Sequence, residues 1–121
     1  MTLELEHLTL DAVDAEAAAT FWAEALGRTV APDATSEVAQ VGGPARPADA
    51  PSWLFVRVPE GKQAKNRLHV DLRADDLAAE VARLEGLGAS RVHEKREWDA
   101  HWFTVADPEG SEFCVVGPGR S

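Results

Sequence analysis

His7-Leu-Thr-Leu-Asp-Ala-Val-Asp14 and His69-Val-Asp-Leu-Arg-Ala-Asp-Asp76 are two versions of one segment, and each leads through a stretch of helix-forming residues to a Leu-Gly pair, Leu26-Gly27 and Leu87-Gly88. The histidines are 62 positions apart and the glycines 61, so the two copies differ by one residue in helix length. A repeat at half the chain length marks one supersecondary unit used twice. Two such units facing each other would enclose a site, with His7 and His69 at matching positions on its walls.

Periodicity supplies the elements around these segments. Residues 3–12 alternate, with Leu8, Leu10 and Ala12 on one face and His7, Thr9 and Asp11 on the other, which predicts a half-buried strand. Asp14 is placed to cap a helix over 14–26 whose apolar face carries Ala18, Phe21, Trp22 and Ala25, ending at Gly27. In the second copy Leu68, Val70 and Leu72 oppose His69, Asp71 and Arg73. Asp75 or Asp76 then caps a helix over 76–87 with Leu77, Val81 and Leu84 inward, closed by Gly88. Shorter β-like stretches follow near 28–31, 36–41 and 52–58, and again near 90–96, 101–106 and 111–117. Each half reads βαβββ. The expected class is α+β, a single domain over 1–121 with repeat 1 at about 1–60 and repeat 2 at about 65–118.

Two segments interrupt the pattern. Gly42-Gly-Pro-Ala-Arg-Pro-Ala-Asp-Ala-Pro51 holds three prolines, which remove backbone donors and fix φ, so it reads as a loop: a long hairpin connection or a flap over a site. Asp107-Pro-Glu-Gly110 reads as a tight turn joining the last two strands as a hairpin.

Composition excludes several classes. The chain has 121 residues, 45% of them hydrophobic, enough for one ordinary core. No apolar run approaches the ~20 residues of a membrane span, and Met-Thr-Leu-Glu-Leu-Glu lacks the basic and apolar regions of a signal peptide. A cytoplasmic location without membrane contact is the expectation, and the lone Cys114, which has no internal disulfide partner, fits a reducing compartment. The net charge of −9 is the wrong sign for binding nucleic acid.

The polar residues sharing strand faces with the histidines are Asp11, Asp71 and Arg73. Arg73 could form a structural ion pair with Asp11 or Asp71, or contact a ligand; Asp71 could orient His69 or exchange a proton with it. Lys62, Lys65 and Arg67 form the one concentrated basic stretch, either a solvated linker or an attractor for an anionic ligand at the mouth of a groove. Trp53 and Phe55 share a face, here assigned to the cavity, and Trp102 shares one with Thr104. Flat aromatic walls suit a small-molecule pocket, and equally a filled core or a dimer interface. Phe21 and Trp22 are expected in the core, His93 and His101 at the surface.

Together, His7, Asp14, Phe21-Trp22, Leu26-Gly27, the strand opening at His69 and the Asp107-Pro-Glu-Gly turn resemble the vicinal oxygen chelate superfamily, which includes glyoxalase I, extradiol dioxygenases and bleomycin-resistance proteins. Phe55-Val-Arg-Val-Pro-Glu-Gly-Lys62, Lys65-Asn-Arg-Leu-His-Val-Asp-Leu72 and Asp107-Pro-Glu-Gly-Ser-Glu-Phe-Cys114 are similar to a glyoxalase-like branch. The resemblance implies two βαβββ repeats forming curved mixed sheets around a cleft, and a homodimer, the usual symmetric oligomer. In metal-dependent members of that superfamily the ligands come from the first and fourth strands of each unit. Carried over, these positions are His7, about Phe55, His69 and Cys114, with Cys114 where a glutamate is usual and Phe55 unable to ligate; Glu112 lies nearby. No resident cofactor is therefore expected; a divalent metal, if held, would use His7, His69 and Cys114. The implied function is binding of a small organic molecule, with His7, His69 and Asp71 as the residues to act on it and Trp53, Phe55, Trp102 and Arg73 to contact it. The alternatives are a metal-dependent lyase or isomerase and a drug-sequestering resistance protein.

Overall fold

Asp14 and Asp76 each stand in extended backbone and accept a hydrogen bond from the amide three residues on, Ala17 and Ala79, both at 3.1 Å. That satisfies one of the donors every helix start leaves open. The helices they begin are α1 (Ala15–Leu26) and α2 (Leu77–Gly86). Gly27 ends the first at φ 68, a left-handed conformation that suits glycine.

The computed structural model describes residues 3, 5–42, 51–62, 64, 66, 68–97 and 99–118. The chain divides into two compact units, Met1–Gly61 and Lys62–Ser121. In the first, β1 (His7–Ala12), β2 (Val38–Val41) and β3 (Ser52–Arg57) form a sheet in the order β1-β3-β2, with β1 and β3 parallel and β2 antiparallel. In the second, β4 (Asp71–Arg73), β5 (Ser90–Glu97), β6 (Ala100–Ala106) and β7 (Glu112–Val116) form a sheet in the order β4-β7-β6-β5, with β4 and β7 parallel and the other pairs antiparallel. These are two mixed sheets of the βαβββ type, an α+β fold. No helix among the described residues is long and apolar enough to cross a membrane.

The structure corrects the strand expectations in three places, the first being that β4 begins at Asp71 and not at Leu68 or His69, which precede its ladder with β7. Strand β1 begins at His7, not at residue 3, because its ladder with β3 starts at the His7–Ser52 pair. The strand expected at 28–31 is reduced to one isolated bridge, Val30 to Val41, since Pro32 follows at once and has no amide donor to extend a ladder. The segment over 43–50, read as a loop or flap, lies outside the described residues, as do Lys65 and Arg67.

Each sheet buries one face under its own helix. In the first unit Phe21 and Trp22 of α1 close over Ala39, Val41, Trp53 and Phe55. The Trp22 and Trp53 rings lie 4.7 Å apart at 32°, and the Trp53 and Phe55 rings stack at 6.5 Å. In the second, Leu77, Val81 and Leu84 of α2 and Phe103, Val105, Phe113 and Val115 of the sheet are buried. Arg91 lies 4.6 Å over the Phe103 ring and pairs with Glu85 of α2 at 3.0 Å, joining helix to sheet at the rim. The opposite face of each sheet is the one left for chemistry.

Candidate functional site

Strand register decides what stands on the helix-free faces. In the second unit the parallel ladder pairs Asp71 with Cys114, and the antiparallel ladders pair Cys114 with Thr104 and Thr104 with His93. Paired residues point to the same side, so four strands deliver these four side chains to one face. Just before β4, His69 places Nε2 3.5 Å from Oδ1 of Asp71. A cavity of about 220 Å³ opens here, lined by Asn66, His69, His93, Trp102, Thr104, Glu112, Phe113 and Cys114. Asn66 is fixed at its rim by donating to the Glu112 carbonyl at 2.9 Å.

The hairpin turn positions β7, and with it Cys114 and Glu112. Buried Asp107 accepts hydrogen bonds at Oδ1 from the amides of Glu109 and Ser111, each at 2.9 Å, and Gly110 takes φ 90 within the turn. The carboxylate thus holds both sides of the turn in place of a longer backbone ladder.

Cys114 and Thr104 are buried, their Sγ and Oγ1 atoms 3.5 Å apart. Burial pushes the Cys114 thiol above its ordinary ionisation range; the Thr104 hydrogen bond opposes this, and the charges of Asp71 and Glu112 add to it. Donor atoms of His69, Asp71 and Cys114 all lie within 4.8 Å of one another, a spacing that one metal ion could span. Three donors are the minimum for an open catalytic site, but a thiol held protonated is a weaker member of the set than a carboxylate.

In the first unit His7 Nδ1 and Ser52 Oγ share a hydrogen bond of 3.0 Å, and Gln40 Nε2 donates to the same oxygen at 3.2 Å. Ser52 is fully buried and anchors the imidazole, whose Nε2 lies 3.8 Å from Glu6 Oε2. The strand residues on this face are His7, Thr9, Asp11, Val38, Gln40, Ser52, Leu54 and Val56.

Trp53 and Phe55, assigned from the sequence to a ligand wall, belong to the core instead: they are 6% and 1% exposed and lie beneath Trp22. The ladder pairs His7 with Ser52, so Trp53 and Phe55 fall on the face opposite His7. By the same register the counterpart of Cys114 is Leu54, opposite Thr9, and not Phe55; leucine too lacks a ligating atom. Asp71 pairs with His69 and not with Arg73, which shares its strand face but stands outside the cavity lining. Trp102 lines the cavity. So does His93, which is exposed as its polar neighbours suggested and lies at the cavity as well, whereas His101 binds Glu94 at 2.7 Å away from the cavity. Ser52, Gln40 and Asn66 carried no recognisable signal, being single polar residues in unremarked positions.

The sequence model of the glyoxalase-like domain family matches residues 7–116. No curated protein matches the sequence. Among solved structures, the chain is similar to a glyoxalase/bleomycin resistance protein/dioxygenase family enzyme from Burkholderia phytofirmans, with a TM-score of 0.75 and 11% identity, covering 95% of this chain and 98% of that one. A glyoxalase-related enzyme from Fulvimarina pelagi gives 0.72 and 15%, covering 97% and 89%. A fosfomycin resistance protein from Mesorhizobium loti gives 0.70 and 13%, covering 98% and 94%. At these identities the likeness is one of fold.

Proposed function

The chain belongs to the glyoxalase-like domain family of the vicinal oxygen chelate superfamily, and we propose that it binds a small organic molecule in the cavity of its second sheet. The observation that carries this reading is the cavity itself: about 220 Å³ on a sheet face without a helix, with Trp102 as an aromatic wall, Cys114 and Thr104 buried, and His69, His93 and Glu112 as polar contacts. A few polar groups converging on apolar surface are what orient a bound small molecule. His69 is the residue to exchange a proton with such a ligand, and Asp71, 3.5 Å from its Nε2, the residue to orient the ring. The structural neighbours named as enzymes and as a resistance protein agree with ligand binding and leave the chemistry to the residues of this site.

The test is a fragment screen read by amide chemical shifts. Hits should shift Trp102, Thr104 and Cys114 together, and Trp102→Ala should weaken them by about tenfold, roughly what one aromatic contact contributes. Hits that shift other surfaces only, or that bind Trp102→Ala unchanged, would remove the cavity as the site.

A second reading rests on the convergence of His69, Asp71 and Cys114. These residues would hold a divalent ion, which would polarise a ligand oxygen when bound. The favoured outcome is that purified protein carries less than about one equivalent of metal, because binding must first remove the Cys114 proton. Stoichiometric zinc by elemental analysis, lost in His69→Ala and in Asp71→Asn, would establish the metal reading.

A further inference from the structure

Resting on that cavity, we propose that its ligand is a small planar aromatic cation, such as an arylalkyl ammonium. The volume, about 220 Å³, lies below the ~300–1,000 Å³ of pockets for drug-sized ligands, so the occupant is a fragment of one or two rings. Trp102 offers an indole wall for such a ring. Among the described residues the one carboxylate or permanent charge in the lining is acidic, beside the imidazoles of His69 and His93. Glu112 lines the cavity, Asp71 stands beside Cys114 in the sheet register, and no lysine or arginine among the described residues is in the lining. The two cations on the same sheet face are Arg73, paired in register with Val116, and Lys95, whose Nζ is 3.7 Å from Glu97.

An anion entering here would approach the Glu112 carboxylate of the lining, with Asp71, paired to His69, beside it, and like-charge repulsion would oppose it. An ammonium group gains a charge-assisted hydrogen bond to Glu112 and attraction to the indole face. The basic residues Lys65 and Arg67 flank Asn66 in sequence, and an anionic probe is the arm through which any contribution of theirs would show.

Three probes of one shape make the test: 2-naphthylmethylammonium, 2-naphthylmethanol and 2-naphthoate, titrated into the full chain with amide shifts at Trp102, Thr104 and Cys114 as the readout. The ammonium should bind at least about tenfold tighter than the carboxylate at low salt, a gap that narrows at high salt and in Glu112→Gln. Equal or tighter binding of the carboxylate or the alcohol at those residues would overturn the charge class while leaving the cavity as a ligand site. Ammonium binding that spares those residues, or that survives Trp102→Ala unchanged, would be adsorption to the acidic surface and would overturn the inference. If none of the three probes moves those residues, both the inference and the cavity reading fall.

Discussion

Cys114 occupies a position where ionisation is opposed by burial, by the charges of Asp71 and Glu112 and by the Asp71 hydrogen bond, with Thr104 alone on the other side. At pH 8 a disulfide reagent should therefore modify it more slowly than it modifies an unstructured cysteine, and Asp71→Asn with Glu112→Gln should narrow the difference. A thiol whose folded value is raised contributes stability below its unfolded value and loses that contribution as pH rises through the folded one. The stability of the wild type relative to Cys114→Ala should accordingly be constant at neutral pH and fall in the alkaline range; a difference that rises there would contradict the sign. Trp53 shows the limit of residue-scale reading. Alternation showed that Trp53 and Phe55 share a face, but choosing which face needs the partner strand, and the register with His7 lies 45 residues away in sequence. Trp53→Ala should cost about 3–5 kcal/mol in denaturant unfolding, as for a core aromatic, with the loss felt through Trp22.

Among the elements, the helices were legible because each carries its own punctuation: an aspartate whose side chain reaches an amide three residues on, an apolar stripe, and a glycine after it. The 28–31 strand was not, because four residues followed by proline hold no local sign of how many pairs they form. Strand β5 hides a subtler feature. All eight of its residues are exposed and most are charged or polar, which suits a terminal strand protected against pairing with other chains. Its register with β6 shifts between Arg91 and His93: Arg91 opposes Val105, whereas His93 opposes Thr104. One extra residue, a β-bulge at Val92, turns His93 from the helix side to the cavity side. Alternation along the sequence cannot see a bulge, and so His93 was missed. Deleting Val92, an exposed residue, removes the extra residue and should restore regular pairing with His93 still opposite Thr104 on the cavity face and the sheet folded. The check is that the His93 and Thr104 shifts in ligand titrations both persist in the deletion variant. If the His93 shift is lost, Val92 is not the extra residue of the bulge.

On the scale of the whole molecule, the sequence repeat is present as a three-stranded and a four-stranded sheet, in each of which the first strand pairs in parallel with the last and one face is closed by the unit's own helix. A sheet's ends are a separate matter. β1 and β4 are terminal strands of their sheets, and the residues leading into them carry large exposed side chains: Leu3 at 91% and Leu5 at 61% before β1, Leu68 at 75% before β4. Scattered apolar side chains are ordinary on a protein surface, but leucines beside strand ends offer both backbone pairing and apolar burial to a second chain. The net charge of −9 opposes self-association at low salt, so apolar contacts rather than ion pairs must drive it. A homodimer is the expected state, with a sedimentation mass twice the 13.0 kDa of the chain. Leu5→Glu with Leu68→Glu should shift the protein toward monomer at unchanged far-ultraviolet circular dichroism, since neither side chain is in a core. Raising the salt should strengthen the wild-type dimer by screening the like charges, the opposite of what an interface built on ion pairs would do. A wild type that sediments as a monomer at every salt concentration would leave these leucines as isolated surface residues.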